Sequence, residues 1–149
     1  MVEQIKEKEL YMNNKIDKFR GKYYFLSNFF NAQVTYNGIT YENNESAFQA
    51  QKQPNIAHTF SHLNPSQAKR KGRKVVLRND WEKVKDEIMY NICLCKFTQN
   101  EELKQKLLNT GNAELIEGNT WNDTYWGICR GRGKNHLGKI LMQIREELR

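Results

Sequence analysis

The stretch Asn44 to Lys52 reads NESAFQAQK and begins one residue after the aromatic run VTYNGITYE. As a helix it sets Glu45, Gln49 and Lys52 on one side, because positions i, i+4 and i+7 share a face, while Ala47, Phe48 and Ala50 turn to the other. An acid, an amide and an amine in one row can move a proton, orient a hydroxyl and present a nitrogen. The same row also suits a solvated face, with Glu45 favoured by the dipole at the first helical turn. A second candidate is NTWNDTYWGICRGRGKNHLGK, in which Trp121, Tyr125 and Trp126 surround Asp123 and Gly127, Gly131, Gly133 and Gly138 follow. Aromatic rings beside a carboxylate can stack a planar base and handle a proton. The glycines admit a close approach of backbone to ligand, and the start of the next helix, flanked by Arg130, Arg132 and Lys134, offers a place for a phosphate. The alternative is an aromatic plug in the core beside a basic loop, although a carboxylate enclosed in such a plug is costly unless paired.

Other chemistries lack their parts. A Walker A loop would need glycine at Ile128 and a hydroxyl at Asn135. His58 and His62 stand at i, i+4, but no glutamate follows the first and no third ligand can be named, so no metal site is expected. Cys93 and Cys95 fall on different faces of one helix and read as ordinary thiols. Ser27 has no His and Asp partners for a hydrolase triad.

These residues need a scaffold, and the chain of 149 residues, 38% hydrophobic and 11% aromatic, is long enough for one domain with a real core. Asn37-Gly38 lies between two short alternating runs and predicts a two-residue hairpin. Asn64-Pro65 opens a short helix carrying the basic cluster Lys69, Arg70, Lys71, Arg73 and Lys74. From Asn79 or Asp80 as N-cap, apolar groups at Trp81, Val84, Ile88, Ile92 and Cys95 predict a long helix with one buried face. NEELKQKLLNTGN reads as a further helix capped by Asn100 and stopped near Gly111, AELIE as a strand, and Leu137, Ile140, Leu141, Ile144 and Leu148 as the apolar stripe of a terminal helix. Residues 1–17 read as a charged helical extension to a domain spanning 18–149. The expected class is α+β, a single compact and mostly helical domain with a small antiparallel sheet.

With 24 Lys and Arg against 17 Asp and Glu, the formal charge of +7 favours an anionic partner without saying which. Three cysteines, an odd set, fit reduced thiols and a cytoplasmic location. No apolar run is long enough to span a membrane, and the first residues lack the core of a signal peptide.

The residues also form a familiar set. FLSNF at 25–29, ESAFQAQK at 45–52, NDW at 79–81, NDTYWG at 122–127 and GKNHLGKILMQIREEL at 133–148 stand in the order and spacing of the YbiA-like, or NADAR, family, which the chain resembles from about residue 18 to its end. The resemblance implies a compact α+β domain that needs no cofactor and cleaves the bond between a ribose C1 and a nitrogen. Its substrate would be a phosphoribosylaminopyrimidine intermediate of riboflavin synthesis or ADP-ribose attached to guanine in DNA or a nucleotide. It implies Glu45, Lys52 and Asp123 as catalytic residues, and Asn28, Gln49, Trp81, Trp126, Gly133, Lys134 and Asn135 as substrate-binding ones. The carboxylates would transfer protons, and a desolvated Lys52 would attack the opened sugar as a Schiff-base amine. Trp126 would stack on the base, and Lys134 with Asn135 would lie near the phosphate. Two departures stand out: the family's Ser-Glu-His is Asn44-Glu45-Ser46 here, and Arg130 and Arg132 are additional. The contrasting reading is a non-catalytic module that binds ADP-ribose or nucleic acid through the same aromatic and basic surfaces.

Overall fold

The computed structural model describes residues 14–149. In chain order it comprises strands β1 (Lys15–Ile16), β2 (Asn31–Tyr36) and β3 (Ile39–Asn43) and helices α1 (Asn44–Ala50), α2 (Pro65–Gly72), α3 (Trp81–Gln99) and α4 (Glu101–Leu108). Strands β4 (Glu114–Leu115), β5 (Gly118–Asn119) and β6 (Ile128–Cys129) and the terminal helix α5 (His136–Glu147) complete it, with 3₁₀ helices at Gly21–Leu26 and Pro54–Phe60. The fold is α+β. The predicted extension at 1–17 lies for the most part outside the described residues, but at its end Lys15 and Ile16 form a strand beside Glu114 and Leu115, with Ile16 in the core.

The hairpin forms where Asn37 and Gly38 both take positive φ, 49° and 81°, as the favoured two-residue turn requires. It is the antiparallel part of the sheet structure. The pairs β1–β4 and β5–β6 are parallel and only two residues long, too short to leave any period in the sequence. On the outer edge of β2, the Gln99 side chain takes both polar groups of Thr35: its Oε1 accepts the N–H at 2.8 Å and its Nε2 donates to the C=O at 2.8 Å. Asn100 Nδ2 donates to Gln33 O next to it.

Helix α3 is the axis of the molecule and packs against α1, α4, α5 and β2. Its buried face runs through Trp81, Ile88, Met89, Ile92, Cys93, Lys96 and Phe97, whereas Val84 and Cys95 of the expected stripe are half-buried. The face is turned because neighbours cover the helix on more than one side. Lys96 is enclosed completely: its Nζ donates to Phe25 O at 2.6 Å and Ser27 O at 3.0 Å and lies over the rings of Phe30 and Phe97. Charge-assisted bonds of this kind satisfy carbonyls at the end of the first 3₁₀ helix. They fasten the Gly21–Leu26 segment to α3. None of the described helices is long and apolar enough to cross a membrane.

Candidate active site

Asn43 caps α1, its Oδ1 accepting the Ser46 N–H at 2.7 Å, and its amide also donates to Leu63 O. The cap fixes where the helix starts, and Glu45 therefore sits in the first turn, facing inward. Asn28 O accepts the Glu45 N–H at 3.0 Å, and Asn44 Nδ2 donates to Asn28 Oδ1 at 3.1 Å, so the FLSNF loop and the helix start are locked together. Helix α1 ends at Ala50, earlier than expected. Lys52 lies in the turn beyond it, its N–H donating to Gln49 O at 3.1 Å.

A cavity of about 810 Å³ opens over this helix. Glu45, Phe48, Gln49 and Lys52 form its floor, and Trp81, Lys85 and Met89 of α3 form one side. Asn28 and Tyr24 belong to the wall built by the first 3₁₀ helix and the loop after it, and Glu117, Asp123 and Trp126 to the facing one. The site residues expected from the sequence thus meet in one place, except for Gly133, Lys134 and Asn135. Those three do not line the cavity. Asn135 is buried with φ 53°, and its side chain holds backbone instead of ligand: Oδ1 accepts the Glu117 N–H at 3.0 Å and Nδ2 donates to Leu115 O at 2.9 Å. Gly133 runs so close to Gly127 O that a Cβ would come within 2.1 Å of it, and Lys134 is exposed. The cations that do line the cavity are Lys52, Lys69, Lys85 and Arg20.

Phe48, expected on the core side of α1, packs against Trp81 at 5.0 Å and edge-on to Trp126 at 5.4 Å, and lines the cavity with them. Trp126 is held upright from its other side by Tyr125 at 4.8 Å. These rings form the apolar part of the cavity lining. Gln49 Nε2 donates to Glu45 Oε1 at 2.8 Å, so the amide and the carboxylate hold each other in place on the cavity floor. Burial pushes the Glu45 carboxyl up, against the opposing pull of Gln49, Lys69 and Lys52. Burial lowers the Lys52 amine; Glu45 opposes this, while Arg73, Lys69 and Lys85 add to it. Burial and the neighbouring cations thus act in one direction on this amine, and Glu45 acts in the other.

The residue that the sequence did not mark is Glu117. It stands at the end of AELIE, a segment legible only as a strand, and burial raises its carboxyl to about 7 despite the hydrogen bond from Asn119, with Asp123 and Glu45 adding to the rise. Asp123, by contrast, has its Oδ1 occupied by the backbone N–H groups of Tyr125 at 3.1 Å and Trp126 at 2.9 Å. It shapes the loop as much as it faces the cavity. Glu117 fits because residue 127 is glycine: a Cβ there would come within 1.8 Å of Glu117 Oε2 and 2.0 Å of its backbone O. Gly127→Ala is accordingly expected to lose about 2 kcal/mol of stability in denaturant titrations, since the obstructing atoms include backbone and cannot rotate away.

Among the described residues no group of three or more His, Cys, Asp and Glu is placed to hold a metal ion. What the site offers is an aromatic wall beside two carboxyls, Glu45 and Glu117, whose proton affinity burial raises, and an amine, Lys52, whose proton affinity burial lowers.

Comparison with known proteins gives the family. The model of the NADAR domain matches residues 13–149. N-glycosidase YbiA of Escherichia coli is 40% identical over 132 residues, covering 83% of this chain and 80% of that protein. A riboflavin biosynthesis protein of Vibrio vulnificus is 38% identical over 130 residues, 83% of this chain but 35% of that longer protein. The NMR structure of E. coli YbiA superposes with a TM-score of 0.80 at 37% identity, covering 91% of this chain and 85% of that one. The chain belongs to the NADAR domain family, with the YbiA N-glycosidases among its relatives.

Proposed function

We propose that this N-glycosidase breaks a ribose C1–N bond with Lys52 as nucleophile and Glu45 and Glu117 as the proton-carrying carboxylates. The observation that carries this reading is the meeting, in one cavity, of a desolvated lysine with two carboxylates of raised proton affinity. A proton from a carboxylic acid to the ring oxygen lets the C1–O bond break, and the electron pair of the glycosidic nitrogen forms an iminium at C1. The neutral Lys52 amine adds to C1, and a carboxylate takes up the proton that it sheds. The departing nitrogen is protonated and leaves, so that C1 is bound to lysine as a Schiff base. Water then releases the free sugar and regenerates the amine.

Anionic parts of the substrate fall to Lys69, Lys85 and Arg20, the cations along the walls. A phosphoribosylaminopyrimidine finds support in the name of the Vibrio relative. ADP-ribosyl guanine finds it in the cavity, whose volume of about 810 Å³ lies high in the range of about 300–1,000 Å³ usual for small-molecule sites. The free thiols Cys93, Cys95 and Cys129 suit a reducing, cytoplasmic setting.

The test is incubation with both substrates, following released base and sugar, beside Glu45→Gln. Cleavage of one substrate by the wild type alone establishes the reaction and chooses between them; cleavage of neither, with tight ADP-ribose binding, replaces the enzyme by a binding module. A second expectation concerns pH. Because Glu117 must hold its proton to act as an acid, kcat/KM is expected to fall tenfold per unit as pH rises beyond about 7, and Glu117→Gln to abolish this limb of the pH–rate profile.

A further inference from the structure

We propose that Asn119 is the positioning residue of this site, seating the Glu117 carboxylate and tying it to the loop that carries Asp123. The inference rests on the reading of Glu117 as an acid, and its geometry is independent of that reading. Asn119 ends β5, which pairs in parallel with β6 so that Gly118 lies opposite Ile128 and Asn119 opposite Cys129. From that place its side chain reaches both acids. Oδ1 accepts the Asp123 N–H at 3.1 Å, while Nδ2 donates to Asp123 O at 2.8 Å and to Glu117 Oε2 at 3.1 Å, with Glu117 O further away at 3.5 Å. Both protons of the amide are therefore committed, one to each residue.

The consequences follow from the direction of these bonds. An N–H that points at a carboxylate oxygen favours the ionised form, so Asn119 pulls the proton affinity of Glu117 down from where burial alone would leave it. Asp123 in the loop and Glu45 on α1 push it up, and Lys69 on α2 pulls it down. Among these, only Asn119 acts through a directed bond. Beside the same carboxylate oxygen the bare Cα of Gly127 leaves room, since a Cβ there would come within 1.8 Å of Glu117 Oε2 and 2.8 Å of Asn119 Nδ2, and Asn135 fixes the Glu117 backbone N–H at 3.0 Å. Without the amide the carboxyl would keep its proton more tightly and would no longer be tied to the Asp123 loop.

The experiment is a carboxyl-carbon NMR titration of the full chain, with the Glu117 signal assigned by its loss in Glu117→Gln. In Asn119→Ala the midpoint is expected to rise by about one pH unit, the worth of a hydrogen bond to a charged group. In Asn119→Asp, which keeps an oxygen for the Asp123 N–H and is the same size, it is expected to rise further because a like charge replaces a donor. The high-pH limb of kcat/KM should move by the same amount. An unchanged midpoint in a folded variant overturns the proposal, whatever becomes of turnover. Should Asn119→Ala fail to fold, Asn119→Asp decides alone. If the limb survives Glu117→Gln while the midpoint moves with Asn119, the acid assignment falls and the positioning role stands.

Discussion

Lys52→Met protein is expected to turn over at least about a thousandfold more slowly than wild type while binding ligand within about tenfold. The asymmetry arises from where the lysine sits. Its ammonium is half-buried at the foot of α1 beside Trp81, 5.8 Å from the ring centroid, and the anions of a substrate have Lys69, Lys85 and Arg20 as further partners. Loss of one charge among several weakens binding modestly. Loss of the cavity amine that burial and cationic neighbours together bring towards neutrality removes the attack on C1 altogether. Borohydride added during turnover should fix the sugar to the wild-type chain at Lys52 and leave Lys52→Met unlabelled by mass spectrometry. Unimpaired turnover by the variant would take lysine out of the mechanism and leave direct attack by water.

The largest effect on stability is expected at Lys96. Lys96→Ala should destabilise the chain by about 3 kcal/mol, combining a cavity in α3 with the loss of the bonds to Phe25 O and Ser27 O. Ser27 O keeps the Phe30 N–H as a second donor at 3.2 Å, so Phe25 O suffers most. Lys96→Met fills the space and removes a buried charge, and its cost should be smaller. The pH dependence separates the two contributions. Burial lowers the Lys96 amine from 10.5 to about 8, so the penalty for enclosing the charge is present in full below about pH 8. It is relieved as pH rises from there to the unfolded value, because in that window the unfolded chain holds the extra proton. Denaturant titrations at about pH 7 and about pH 10 should show this gain of stability in wild type and its absence in Lys96→Met.

The sequence conveyed local structure well. Asn37-Gly38, Asn64-Pro65 and the apolar stripe of α5 each carry a signal within a few residues, and each element formed where expected. The floor of the site was legible for the same reason, since Glu45, Gln49 and Lys52 share one turn-rich segment. Glu117 was not legible. It reaches the cavity only because a two-residue parallel pair, an asparagine with left-handed backbone and a glycine with no room for a Cβ agree on its place. None of these produces a period. Asn135 was ambiguous for a related reason: a polar residue at a glycine-rich helix start can face a ligand or hold a strand end, and in the fold its side chain holds the backbone of Leu115 and Glu117. Nothing in the residues around Lys96 marks it as buried, because its enclosure depends on a segment about 70 residues earlier in the chain.

The side chain of Gln99 imitates one residue of a neighbouring strand, giving Thr35 the donor and acceptor that another chain would otherwise supply. A hairpin with such an edge cannot readily template a second copy of itself. Crowded in the cell, or partly opened during folding, the molecule keeps the β2 edge of its hairpin closed to recruitment, and strand addition on that edge would first have to displace one glutamine.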